Sequence, residues 1–220
     1  MKLSDIKKDI PKEVYNVLSK EIGKLRPCQE KSIKKGLFKG KNLLVCTPTA
    51  SGKTLIAEFA TVKSIIEGVG KAVYIVPLKA LANEKYKEFK AKYGKLFKVG
   101  MSIGDLDKAE PWLERYELLI TTSEKLDSLI RHKSPWIKFF KTIIVDEVHL
   151  LNDPSRGPTL EILITLLREL IEEPQIIALS ATIGNPNELS EWLNADLVID
   201  NWRPVKLKKG IYHKKKTKFY

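Results

Sequence analysis

Two short segments carry residue types whose spacing suits phosphate chemistry. The first is Thr47-Pro48-Thr49-Ala50-Ser51-Gly52-Lys53-Thr54, which joins an apolar run at 42–47 to an amphipathic run at 53–67. A loop that follows a strand and opens a helix presents backbone N–H groups to an anion. In such a loop Thr49, Ala50, Ser51 and Gly52 would line the turn and Lys53 would reach the β- and γ-phosphates of a nucleotide. Thr54 would place its hydroxyl on Mg²⁺. The segment departs from G-x-x-x-x-G-K-[ST], because Thr47 stands where the first glycine belongs. A chance G-K-T at a helix start remains the alternative for this loop alone.

The second segment is Thr142-Ile143-Ile144-Val145-Asp146-Glu147-Val148-His149, an apolar strand ending in two carboxylates. Parallel strands bring their carboxyl ends to one sheet edge, so Asp146 would face Lys53 and Thr54. There it can hold Mg²⁺ directly or through water. Glu147 beside it can orient and deprotonate an attacking water. A solvated acidic strand end is common by itself; its pairing with the phosphate loop argues for a nucleotide-hydrolysing site.

The elements that must position these groups can be read from periodicity. Strand-like runs at 42–47, 72–76, 99–103, 117–121, 142–146, 175–180 and 197–200 alternate with helical stretches at 53–67, 79–93, 124–132, 158–171 and 186–193. Several runs are almost continuously apolar, as strands are when both faces of a parallel sheet are covered. This predicts an α/β fold with an open sheet and ligands at the carboxyl ends of its strands. Two further helices are expected at 12–22 and 29–38, with Pro27 suited to a helix start. After Asp200 the pattern stops, and 201–220, with a basic run at 214–216, reads as an extended connector. The expected division is an N-terminal helical segment at 1–40, an α/β domain at 41–200 and the connector.

Composition narrows the classes. The chain has 220 residues, 43% of them hydrophobic, which suits a globular protein. Without an apolar run of about 18 residues it offers no membrane span, and its charged N-terminus is no secretory signal. Two cysteines, Cys28 and Cys46, make neither a disulfide framework nor a zinc site, and they read as reduced thiols of a cytoplasmic protein. The formal charge of +12 suggests a polyanionic partner, although Lys/Glu enrichment also accompanies heat adaptation.

The segments TPTASGKT and DEVH, followed by Ser180-Ala181-Thr182, resemble in content and order motifs I, II and III of the superfamily 2 helicases of the DExH-box kind. Pro77-Leu78-Lys79-Ala80-Leu81 resembles motif Ia, and Thr121-Thr122-Ser123-Glu124-Lys125 resembles motif Ib. The resemblance covers about 25–205 and implies a RecA-like P-loop NTPase domain, the first of two motor domains, with ATP and Mg²⁺ as its cofactors. It further implies that Gln29 reads the adenine edge, a site where the residues alone suggest only a surface glutamine. By the same resemblance His149, Ser180 and Thr182 connect hydrolysis to movement; Thr182 taken alone reads as a cap.

Motifs Ia and Ib start at strand ends and run into helices, so Pro77, Leu78, Lys79, Thr122 and Ser123, with Arg156, are the candidates for holding the phosphates of a nucleic-acid strand. For Thr122-Ser123-Glu124 a helix cap is an equal alternative. Lys79, Lys85, Lys87, Lys90 and Lys92 spread round one helix and read mostly as a solvated face. Trp112, Trp136 and Trp192 read as packing residues.

The stretches at 124–129, 150–161 and 201–205 are similar to archaeal DNA repair helicases of the Ski-like branch. This implies 3′-to-5′ movement on single-stranded or forked DNA during fork repair or recombination. Leu106, within Gly104-Asp105-Leu106-Asp107, stands where that branch suggests an aromatic residue. A Ski-like RNA helicase domain, which shares most of these motifs, is one alternative, and a non-enzymatic ATP-gated nucleic-acid binding module is another. A P-loop kinase is disfavoured by SAT after DEVH. The arginines of a second RecA-like domain have no counterpart here. The expectation is therefore a fragment of a longer chain, poorly active alone and completed by that second domain.

Overall fold

Four consecutive residues of β1 (Leu43–Cys46) are buried, as a strand covered on both faces requires. The computed structural model describes residues 1–104, 110–205, 210–213 and 216–219. In it β1 lies between β6 (Gln175–Ser180) and β7 (Asp196–Ile199). The other strands of the main sheet are β2 (Lys71–Val76), β3 (Val99–Ser102), β4 (Leu118–Thr122) and β5 (Phe140–Val145). Their order is β3-β4-β2-β5-β6-β1-β7, and every pairing is parallel. Parallel neighbours need crossovers; α3 (Lys53–Ile66), α4 (Lys79–Tyr93), α5 (Ser123–Arg131), α6 (Gly157–Leu170) and α7 (Pro186–Trp192) supply all but the one from β3 to β4, which includes a short 3₁₀ turn at Pro111–Arg115.

Two hydrophobic clusters sandwich the sheet. Leu43, Val45, Tyr74 and Val76 pack with α3 and α4 on one face. Leu44, Cys46, Val73 and Ile75 pack with α5 and α6 on the other, as the two-residue alternation of a strand dictates. The N-terminal helices are shorter than their apolar patterns, α1 spanning Lys12–Leu18 and α2 Pro27–Lys34. Pro27 takes the first helical position of α2. Leu3, Ile6, Val14, Leu18 and Leu25 join the cluster under α3, so the N-terminal segment packs on the sheet.

Beyond Asp200 the chain does form strands. The exposed segments β8 (Gly210–His213) and β9 (Lys216–Phe219) pair antiparallel, apart from the main sheet. Asp105, Leu106 and Asp107 of the departing motif, and Lys214 and Lys215 of the basic run, lie outside the described residues. Among the described residues no helix is long and apolar enough to cross a membrane.

Gly157 opens α6 where the chain returns from the DEVH segment, and a Cβ there would stand 2.2 Å from the Leu151 carbonyl oxygen. Gly157→Ala is therefore expected to destabilise the fold by about 1–3 kcal/mol, as overpacking does. Urea denaturation reads this as a lower midpoint; an unchanged midpoint would show that the turn opens freely.

Candidate nucleotide site and nucleic-acid face

The end of β1 turns into α3 through a loop in which Ala50 and Gly52 take φ of 61° and 95°. Left-handed residues in such a loop direct N–H groups into a concavity. Gly52 is also the cap position of α3, and no side chain caps that helix, leaving its first-turn N–H groups for an anion. Thr47, in place of a glycine, is fully buried. Its hydroxyl lies 2.7 Å from Ser51 Oγ, and its N–H donates to the Ser180 carbonyl at 3.2 Å. The substitution thus braces the loop from beneath. Ser51 is buried with it, while Thr49 and Ala50 are exposed.

Lys53 Nζ donates to Thr47 O at 2.9 Å and to Ser180 O at 2.8 Å. Burial pushes this ammonium below its ordinary pKa, while the charges of Glu147 and then Asp146 draw it back up. The register explains the convergence. β6 separates β1 from β5, pairing Ser180 with Cys46 and Ala178 with Val145, so three strand ends meet at one edge. A half-desolvated cation on neutral carbonyls gains more from phosphate oxygens, whose hydrogen bonds are charge-assisted.

Asp146 Oδ2 accepts the Tyr74 hydroxyl at 3.1 Å, and its Oδ1 accepts the Glu147 N–H at 3.0 Å. Burial and the neighbouring Glu147 charge push the Asp146 carboxyl above its usual range, against the Tyr74 bond and the Lys85 charge. Glu147 itself sits at φ 53°, a left-handed conformation that costs a β-carbon-bearing residue about 1–3 kcal/mol. His149 Nδ1 lies 3.2 Å from Glu147 Oε2 but is not aligned for a hydrogen bond.

Ser180 is buried, while Thr182 is exposed just beyond β6. No hydrogen bond among the described residues joins His149, Ser180 and Thr182; Ser180 takes part through its carbonyl.

Thr54 shares a cavity of about 340 Å³ with Gln29, Gly52, Arg26, Lys24 and Glu58. Gln29 is no surface residue, being 4% exposed. Its Oε1 accepts the Arg26 N–H at 2.8 Å and its Nε2 donates to Gly52 O at 3.0 Å. A Cβ on Gly52 would stand 2.5 Å from that Nε2, so the glycine makes room for the amide. One N–H and one lone pair of Gln29 remain for a base edge. Arg26 was not predicted: its Nη1 donates to Ala50 O at 2.6 Å, and its guanidinium lies over the Trp202 ring, 5.6 Å from the centroid. The adjacent Pro27 marked the helix start but carried no signal of this contact. Cys28 and Cys46 are free and buried, with thiols that burial pushes up, which leaves them inert.

Oxygen donors from Thr54 and Asp146 suit a hard cation such as Mg²⁺, which takes one or two protein ligands and completes its shell with phosphates and water. Among the described residues no group of three His, Cys, Asp or Glu could hold a metal by itself.

On the neighbouring edge Val76 pairs with Thr122, and motifs Ia and Ib begin side by side. Pro77, Ser123 and Arg156 line one narrow crevice that also includes Asp146. Leu78 and Lys79 are exposed above it. Thr122 and Ser123 are buried. Thr122 Oγ1 accepts the Lys125 N–H at 3.4 Å, so its side chain caps α5. The solvated-face reading of α4 holds for Lys79, Lys87 and Lys90. It fails for Lys85, which is buried and paired with Glu88, and for Lys92, which reaches Glu58 and Glu21. Trp136 packs in the core, whereas Trp112 is half-exposed, its ring edge-on to Tyr116 and beside Arg115.

A family model described as DEAD/DEAH box helicase matches residues 26–189. The chain belongs to this family. Within it the chain is 55% identical over 205 residues to the ATP-dependent DNA helicase Hel308 of Methanocaldococcus jannaschii, covering 90% of this chain and 17% of that protein. To Hel308 of Pyrococcus horikoshii it is 50% identical over 214 residues, covering 97% of this chain and 29% of that protein. The chain thus spans 17–29% of the length of these relatives. Among solved structures, the DUF1998 helicase MrfA bound to DNA superposes with a TM-score of 0.75 at 28% identity, over 88% of this chain and 30% of that one. MrfA bound to DNA and AMPPNP superposes equally well. The sheet and its flanking helices are thus those of a RecA-like helicase domain.

Proposed function

We propose that this chain is the first motor domain of an ATP-dependent DNA helicase that moves 3′-to-5′ on single-stranded or forked DNA in repair or recombination, in the cytoplasm of an archaeal cell. The observation that carries the nucleotide reading is the Lys53 ammonium, held at an uncapped helix start, bonded to two carbonyls and subject to the charges of Glu147 and Asp146. The DNA substrate is inferred from relatives that are ATP-dependent DNA helicases.

Lys53 and the loop N–H groups bind the phosphates, and Gln29 meets the adenine from the cavity wall. Thr54 and Asp146 would hold Mg²⁺, which when bound supplies charge neutralisation on the phosphate oxygens. Glu147 orients a water and takes its proton. When phosphate draws Lys53 away, the Ser180 carbonyl loses one of its two donors and keeps the Thr47 N–H. This is a route from the nucleotide to Thr182 and His149. A second RecA-like domain supplies the opposing cation, and the division at about residues 40 and 200 is kept on this reading. Calorimetric titration with Mg·ATP tests the site. Strand separation on 3′-tailed DNA and RNA, using the protein with its second motor domain, tests the activity. Absence of nucleotide binding would overturn the proposal, and unwinding of RNA alone would transfer it to the RNA-processing branch.

Strand binding by this face is expected to be tolerant of base sequence and sensitive to salt. The exposed Lys79 and the helix starts meet phosphates rather than bases, on a chain of net charge +12. Each neutralised phosphate of a single strand contributes roughly −0.7 to the slope of log K against log salt. Fluorescence anisotropy with several oligonucleotides checks both points; a flat salt dependence or a strong base preference would contradict them.

A further inference from the structure

We propose that Tyr74 is a positioning residue for the metal-facing carboxylate, fixing the plane of Asp146 through the hydroxyl that donates to Oδ2 at 3.1 Å. The inference rests on the reading of Asp146 as the carboxylate that holds the nucleotide's metal. A carboxylate on one rotatable stem sweeps its oxygens through a wide arc, and a metal that demands near-ideal octahedral geometry discriminates against most of that arc. Asp146 is tied at both oxygens, by the Glu147 N–H on Oδ1 and by the phenol on Oδ2. The first bond comes from the adjacent residue and moves with it. The second comes from β2, a neighbouring strand in the sheet, and anchors the side chain to the core.

The anchor is rigid for stated reasons. Tyr74 is fully buried, and its ring packs edge-on against Phe89 of α4, with centroids 5.8 Å apart. The backbone ties the same two strands, because the Asp146 N–H donates to Ile75 O at 2.9 Å. Strand and side chain therefore hold Asp146 from adjacent residues, Ile75 and Tyr74. A buried phenol needs a partner for its hydroxyl, and here that partner is an Asp146 oxygen. An outer hydrogen bond of this kind, when removed, typically weakens metal binding about 10–100-fold. Because a second bond to Asp146 persists here, the lower end is expected.

The test uses Mn²⁺ as the probe, its uptake into the complex with ADP followed by the loss of the free-ion electron paramagnetic resonance signal. Tyr74→Phe is expected to raise the Mn²⁺ concentration for half-saturation about tenfold, while ADP affinity without metal stays unchanged. Tyr93→Phe is the control. It removes a comparable buried phenol from the same core face, one that donates to Glu58, and is expected to leave Mn²⁺ uptake at the parental value. Asp146→Asn separates the two layers of the inference. If it leaves Mn²⁺ uptake unaltered, the metal-site reading fails. If it weakens uptake while Tyr74→Phe does not, the metal site stands and the positioning role is overturned. Equal losses in Tyr74→Phe and Tyr93→Phe would assign the effect to general loosening of the core and would also overturn it. Thermal unfolding of each variant establishes that folded protein is being compared.

Discussion

Glu147→Gln is expected to slow ATP hydrolysis by about 10²–10⁴-fold, the typical contribution of a general base, while nucleotide binding stays nearly intact. The amide keeps the size of the side chain and loses the capacity to take a proton from water. The position argues that this side chain is held for chemistry. Glu147 occupies a left-handed conformation at φ 53°, where glycine would be the relaxed choice. Its carboxylate lies 3.2 Å from His149 Nδ1. Conformational cost at a residue beside a phosphate loop is the pattern of a functional site. A companion substitution separates fold from function: Glu147→Gly relieves the backbone and is expected to leave unfolding stability equal or higher, yet to abolish hydrolysis. The measurement is steady-state phosphate release with saturating ATP and single-stranded DNA, in the protein carrying its second motor domain. Hydrolysis at the parental rate in Glu147→Gln would assign the base elsewhere.

Lys53→Ala is expected to weaken Mg·ATP binding roughly 10- to 150-fold, the equivalent of losing about 1.5–3 kcal/mol of charge-assisted hydrogen bonding. The fold should survive. Burial holds Lys53 at a desolvation cost, which sets its pKa below the ordinary value. A group whose charged form is disfavoured by folding lowers stability wherever it is charged in both states. Removing the ammonium relieves that cost, while leaving the Thr47 and Ser180 carbonyls without one acceptor bond each. The two effects oppose, and the unfolding midpoint should move little. Calorimetry with Mg·ATP, accompanied by thermal unfolding, reads both. Parental affinity in a folded variant would remove Lys53 from the phosphate site.

Much of this architecture was legible along the chain, because buried parallel strands are written as apolar runs. TIIV and IIALS lie in β5 and β6, and Lys79–Tyr93 is a helix as its pattern predicts. Boundaries slipped where backbone hydrogen bonding decided them. β5 begins at Phe140, before its most apolar run, and α1 stops at Leu18, with Ile22 packing from the turn that follows. The pairing of β8 with β9 is not legible along the chain because its residues are exposed and basic, with no buried face to impose a hydrophobic alternation.

Local sequence by itself determined the phosphate loop, the paired carboxylates and the order of the motifs. Each is a contiguous string in which residue type and strand-to-helix context suffice to suggest the chemistry. Tertiary structure alone decided which partners those residues meet. The strand order puts Ser180 between the loop and the carboxylates, giving Lys53 its second acceptor from a segment far away in the chain. Burial turned Gln29 from a surface residue into a bracket on Gly52 and made Tyr74 the partner of Asp146. A lysine on α4 reads as solvated until packing encloses it, as it does Lys85. Such contacts depend on two elements meeting at a particular register, and no periodicity within either element records it.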